Sequence, residues 1–172
     1  GRSETDYIAN SERLFRRAIA KLIYPEARQL IEAHRAAGHS VAIISSATPY
    51  QVMPAARDLG IQDVHAADLE VVDGQFTGGV VTPTCFGQGK VDAAERFTEK
   101  QSSDLERCFF YSDSTDDIQL LEAVGRPVVL NGSRELKALA RKSGWAAADF
   151  NSRGPASTGE VLRSVAATGS LV

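Results

Sequence analysis

Sulfur and tryptophan are scarce in this sequence: two cysteines, one methionine and one tryptophan in 172 residues. Two cysteines cannot build a disulfide framework, so a reducing, cytoplasmic setting is the default expectation. No apolar run approaches the ~20 residues that a membrane-crossing helix needs, and the chain opens on no secretory signal pattern. Positive charge is not in excess either. The 19 basic side chains are outnumbered by 22 acidic ones, for a net charge of -3. No broad cationic field is left to hold nucleic acid, and that partner class is set aside. There is no internal repeat. His34, His39 and His65 are scattered without ligand spacing, which argues against a zinc site. Nothing near Cys85, which precedes Phe86 in a loop, suggests a catalytic thiol. What is present is ordinary: 43% hydrophobic and 24% charged residues, in a length that suits one domain with a sizeable core.

The hydrophobic pattern divides the chain into alternating elements. Ser11 to Tyr24 reads as a helix with Ser11 as N-cap. Leu14, Phe15, Ala18, Ile19 and Leu22 share one face, and Arg13, Arg16, Arg17 and Lys21 the other. Two readings stand for it: core packing with a solvated basic face, or contact with anionic lipid headgroups. Pro25 suits the first residue of a second helix, ended by Gly38. Ser40 to Ser45 holds the unbroken apolar run Val41 to Ile44, the mark of a strand buried on both faces. Thr48 to Leu59 is helical, and a short strand begins at Val64. Leu69 to Val81 brackets Asp73-Gly74, a strong hairpin signal. After a loop from Pro83 to Gly89 come a helix from Lys90 to Lys100, a strand from Cys108 to Tyr111 and a helix from Ile118 to Val124. A strand from Pro127 to Leu130, a helix from Arg134 to Lys142 and an edge strand within Trp145 to Phe150 complete the pattern. From Asn151 onward Gly, Ser, Ala and Thr dominate, which reads as a flexible tail or linker. The alternation predicts a Rossmann-like, mostly parallel α/β sandwich of three layers with a β-hairpin insertion.

In such sheets ligands gather beyond the carboxyl ends of the strands. Ser45 and Ser46 follow the first buried strand. Asp113, Ser114, Asp116 and Asp117 follow the strand ending at Tyr111. Lys90 opens a helix behind Gly87-Gln88-Gly89. Each group sits where a loop delivers the chain into a helix N-terminus, whose free amides favour anions. Taken singly, the serines fit N-caps, Lys90 a solvated surface lysine, and the aspartates helix caps. Taken together they suit phosphoryl chemistry: a hydroxyl and amides for phosphoryl oxygens, an ammonium to neutralise charge, and carboxylates for a hard cation.

These residues resemble the haloacid dehalogenase superfamily, and within it the phosphoserine phosphatase-like branch. Ser46-Ala47-Thr48-Pro49 resembles the family's second motif, Gly87-Gln88-Gly89-Lys90 its third, and Tyr111-Ser112-Asp113-Ser114-Thr115-Asp116-Asp117 its fourth. Leu69-Glu70-Val71, Asp73-Gly74 and Pro83 to Gly87 extend the likeness to phosphatases that carry a glycerol-phosphate acyltransferase downstream. The resemblance implies that Ser46, Ala47, Thr48 and Lys90 hold the phosphoryl group. It also implies that Asp113 ligates magnesium, and that Asp117 orients the metal's waters or Lys90, with Asp117 included in the metal set. Ser46, Lys90 and Asp117 are the implied catalytic residues. Residues 1–24 would be the end of a helical cap, 25–150 the α/β core and 151–172 the tail.

The departure is the family's first motif. An Asp-x-Asp pair at the end of the first, central strand supplies the nucleophile and the general acid/base, and no Asp-x-Asp occurs here. The expectation is that this strand lies upstream of Gly1. The chain alone would be inactive, and the parent protein would hydrolyse a small phosphorylated metabolite with Mg2+. Membrane contact is expected only through a downstream acyltransferase. The alternative is a module that binds a phosphorylated ligand or a partner without turnover. A sheet lacking its central strand would close the gap with a new pairing, associate with another copy, or be marginally stable.

Overall fold

The computed structural model describes residues 2–151; the tail expected beyond them lies outside that range. Among the described residues six α-helices and seven strands follow one another: α1 (Glu4–Leu14), α2 (Pro25–Ala36), β1 (Ala42–Ile44), α3 (Pro49–Asp58), β2 (Asp63–His65), β3 (Leu69–Val72), β4 (Gln75–Val80), α4 (Gln88–Lys100), β5 (Phe109–Ser112), α5 (Ile118–Ala123), β6 (Arg126–Leu130), α6 (Arg134–Ser143) and β7 (Ala146–Ala148).

Strands β5, β6 and β7 form one parallel sheet in that order, and β1 and β2 form a separate parallel pair. Successive side chains of a strand point to opposite faces, and the helices cover both. Tyr111 and Leu130 pack against Leu30 of α2 and Phe150. Phe110 and Ile44 pack on the other face against Val91 and Ala94 of α4 and Leu120 of α5. Val129 joins Leu121, Leu136 and Ala140 on that side. The result is the expected three-layer arrangement, but with the sheet split between β1 and β5. Among the described residues the gap is not closed by a new pairing. Its imprint is visible in burial: Val128 and Val129 in β6 are 4% and 0% exposed, whereas the equally apolar β1 is only half-buried along its length.

Hairpin β3–β4 stands apart from both sheets. Asp73 and Gly74 take φ of 50° and 72° at its tip, the left-handed pair that a twisted two-residue turn demands. The chain start docks onto this turn: Glu4 N–H donates to the Gly74 carbonyl at 2.9 Å and Phe76 N–H to the Arg2 carbonyl at 3.1 Å.

The first helix differs from expectation. It begins at Glu4, not near Ser11. The Ser3 hydroxyl accepts from Asp6 N–H, and Glu4 and Asp6 sit at its positive end. Past Leu14 it widens into a π turn, Phe15–Ile19, and tightens into a 3-10 turn, Ala20–Leu22. Of the apolar face assigned to this segment only Phe15 is buried, while Leu14, Ile19 and Leu22 are exposed. Packing comes instead from its first turns. Tyr7 meets Tyr50 of α3 and Phe76 of β4 edge-on, each at 5.4 Å between ring centres. Tyr50 donates to Glu4 at 2.7 Å. That bond, with the nearby Glu4 and Asp68 charges and some desolvation, pushes the Tyr50 phenol up to about 12.

Two histidines separated in sequence meet behind β5. His34 Nδ1 lies 2.9 Å from His39 Nδ1, and His34 Nε2 lies 2.8 Å from Tyr111 Oη. Burial, then the His39 charge, lowers the His34 pKa below 6.5. Burial, then Lys100 and Arg96, lowers that of His65. Between the folded and unfolded values the unfolded chain binds more protons, so stability is lost as pH falls below about 6.5. The thermal midpoint is expected to drop from pH 7.5 to 5.5, and His34→Gln to flatten that slope. A slope unchanged by the substitution would remove His34 as its source.

Candidate active site

The third residue of α4, Lys90, is the centre of the site. The loop reaches it through Gly87, whose φ of 52° and ψ of -121° suit glycine alone. Gly89 serves differently. A Cβ there would overlap the Thr84 carbonyl oxygen, so glycine lets the loop close onto the helix. This turn directs the Lys90 side chain inward, and the residue is 5% exposed.

Its partner is Asp117, which ends the 3-10 turn Thr115–Asp117 ahead of α5. Lys90 Nζ donates to Asp117 Oδ1 in a buried ion pair. The other oxygen, Oδ2, accepts from the Ser112 hydroxyl at 2.6 Å, and Ser112 Oγ in turn accepts from Ser114 N–H at 3.0 Å. Ser112 therefore ties the end of β5 to the pair. The sequence motif gives Ser112 no role of its own; its one signal is its place between Tyr111 and Asp113.

The remaining candidates surround the carboxyl ends of β1 and β5. Ser46 is exposed just past β1. Ser45, its neighbour, is engaged: its hydroxyl accepts from Ala47 N–H at 3.1 Å, and its N–H donates to the His65 carbonyl at 2.9 Å. Of the two serines, Ser46 is the exposed one. Thr48 opens α3, and Gln51 Oε1 accepts from both its N–H and its hydroxyl at 3.0 Å. Its hydroxyl proton is committed to the helix start. Asp113 and Asp116 are exposed just past β5. Cys85 is buried, its thiol donating to the His65 carbonyl at 3.6 Å. Burial pushes its pKa up, away from a thiolate.

Among the described residues, no three or more His, Cys, Asp or Glu side chains gather where they could hold a metal. A magnesium ion is commonly held by one or two carboxylates and completes its shell with water and phosphate oxygens. An exposed Asp113 fits that requirement. Asp117, with its two oxygens taken by Lys90 and Ser112, is arranged to hold the ammonium in place.

A parallel α/β fold with a buried lysine–aspartate pair at its strand ends defines the class. The comparisons narrow it. The family model for haloacid dehalogenase-like hydrolase matches residues 3–122, and the chain belongs to that family. It is 37% identical over 151 residues to phosphoserine phosphatase SerB1 of Mycobacterium tuberculosis, covering 87% of this chain and 49% of the relative. A Bordetella pertussis protein of unknown function superposes with a TM-score of 0.80 at 31% identity, over 87% of this chain and 69% of that one. A substrate-bound phosphoserine phosphatase shares the fold with a TM-score of 0.60 at 22% identity, over 80% of this chain and 61% of that one. The chain spans about half the length of the curated relatives it matches. Among the described residues no helix is long and apolar enough to cross a membrane.

Proposed function

We propose that the protein containing this chain hydrolyses phosphomonoesters of small metabolites, with magnesium, in a cytoplasmic setting. The observation that carries the reading is the buried network of Lys90, Asp117 and Ser112, together with Ser46 exposed just past β1 and Asp113 exposed just past β5. Ser46 would donate its hydroxyl to a phosphoryl oxygen, with the Ala47 and Thr48 backbone beside it at the start of α3. Lys90 would neutralise phosphoryl charge as a point cation. Asp117 would keep that ammonium aimed, and Ser112 would keep Asp117 aimed. Asp113 would hold the magnesium ion, which supplies further charge neutralisation when bound, while Asp117, its two oxygens engaged by Lys90 and Ser112, would act through the ammonium.

The attacking carboxylate and its acid/base partner are to come from an Asp-x-Asp pair outside these 172 residues. The carboxylate oxygen bonds to phosphorus, the ester P–O bond breaks, and the second aspartate protonates the leaving alcohol. Water then hydrolyses the aspartyl phosphate. The second reading is a module that holds a phosphorylated ligand without turnover.

An assay with an aryl phosphate and magnesium separates the two. The 172-residue chain is expected to give no turnover above background. A longer protein that includes the upstream sequence is expected to turn over, and to lose activity by about 10²-fold or more with Asp113→Asn, as removal of a transition-state charge stabiliser does. Silence of the longer protein, with phosphate still bound, favours the binding module.

A further inference from the structure

The two histidines behind β5 are brought together by the way α2 ends. Gly38 takes φ of 80°. Its N–H donates to the Arg35 carbonyl at 2.9 Å, and His39 N–H donates to the His34 carbonyl at 2.9 Å. That pair of bonds is a Schellman turn, which folds the second residue past the helix cap back onto the helix's last turn. Apolar residues commonly meet there. Here both positions are imidazoles, and their Nδ1 atoms stand 2.9 Å apart. On a continuous helix the side chains that meet are three or four residues apart. The left-handed glycine lets residues five apart do so.

His34 is the fixed member of the pair. It is buried, its Nε2 lies 2.8 Å from Tyr111 Oη, and the Phe109 and Tyr111 rings stand edge-on to it at 5.0 and 5.6 Å. With Tyr111 accepting from Nε2–H, the Nδ1 atom carries a bare lone pair aimed at His39. Burial keeps this ring neutral by lowering its pKa. An outward bond from the second nitrogen is also what orients an imidazole on a metal. His39 is half-buried and supplies the ring that turns. Both rings line the slot of about 600 Å³ between β1 and β5. Arg126, 4.9 Å over the Phe109 ring, adds positive charge there and weakens the hold on a cation.

We propose that His34 and His39 chelate one late divalent transition-metal ion, of the Ni2+ or Cu2+ kind, through their Nδ1 atoms. His39 then carries its proton on Nε2, and the ion takes the place of the hydrogen bond between the two rings. The distance selects among metals. Two nitrogens 2.9 Å apart, each ~2.0–2.1 Å from one ion, subtend about 90°. Those are adjacent positions of a square-planar or octahedral shell, as Cu2+ and Ni2+ adopt. A tetrahedral zinc ion would call for nitrogens about 3.3 Å apart. Mg2+ is a poor match because it takes oxygen ligands. Among the described residues no three or more His, Cys, Asp or Glu gather around one point, so water fills the remaining positions. The inference uses none of the residues assigned to phosphoryl transfer and stands whether or not the protein is a phosphatase.

Nickel is the probe, because the free thiols of Cys85 and Cys108 compete for copper. Calorimetric titration of the 172-residue chain with Ni2+ is expected to show one site per chain. His39→Gln is expected to weaken binding by about tenfold or more, at least the cost of losing a ligand-orienting bond. His65→Gln is expected to leave it unchanged. Proton NMR of the unaltered chain checks the assignment without any substitution. Ni2+ is paramagnetic, so it is expected to broaden the ring signals of His34 and His39 and to spare those of His65. Full-strength binding by His39→Gln overturns the proposal, as does broadening centred on His65 or no uptake of Ni2+. So does Zn2+ binding more tightly than Ni2+, since the rings then converge on a tetrahedral ion.

Discussion

Replacing Lys90 with methionine is expected to destabilise the chain by about 3–5 kcal/mol, the cost of leaving a buried charge without its partner. Methionine preserves most of the side chain's length and apolar packing, so the loss reports the ammonium and not a cavity. Lys90 and Asp117 are 5% and 8% exposed, and water cannot readily replace either partner. After the change, Asp117 keeps only the Ser112 hydroxyl as a side-chain donor. Urea unfolding measures the effect. Adding Asp117→Asn to the Lys90→Met variant removes the stranded charge, so the double variant is expected to be more stable than the single one. A Lys90→Met chain within ~1 kcal/mol of the parent, the scale of exposed ion pairs, would show that the pair is solvated. The same substitution in the longer protein is expected to abolish turnover of an aryl phosphate.

The second large effect is expected at Gly89. Glycine to alanine inside a helix ordinarily stabilises by about 0.5–1 kcal/mol. Here the added Cβ would overlap the Thr84 carbonyl oxygen. That contact is backbone, and it cannot rotate aside. Either the loop lifts away from α4 or the first turn of α4 shifts, and in both cases Lys90, one residue on, leaves its alignment with Asp117. The expected outcome is a destabilisation of roughly 1–3 kcal/mol together with weaker protection of Lys90 by inorganic phosphate against amine-reactive labelling. A Gly89→Ala chain more stable than the parent would mean the loop yields freely, and the close approach would then have no part in placing the lysine.

Much of this was legible in residue order. The unbroken apolar run Val41 to Ile44, the Asp73-Gly74 turn and the alternation of strand and helix gave the parallel α/β layers and the hairpin within a few residues of their bounds. Family motifs single out Ser46 and Asp113, which follow β1 and β5, Lys90, in the first turn of α4, and Asp117, at the end of a 3-10 turn. The first helix was read less well. Its apolar spacing pointed to a buried face, but spacing reports only which residues share a side. Whether anything lies over that side depends on the rest of the fold, and here Leu14, Ile19 and Leu22 meet solvent. The contact of His34 with His39 is not legible in their spacing, because it runs past the end of α2, where helical periodicity stops applying.

By itself the sequence determined the element types, the order of the polar groups and the absence of an Asp-x-Asp pair, because propensity, periodicity and turn chemistry are local. Only tertiary structure decided that Asp117 spends its oxygens on Lys90 and Ser112, and that β1 and β5 face each other across an open slot. Those outcomes depend on the positions of segments tens of residues apart, which is information carried by packing and backbone pairing and not by any one stretch of chain.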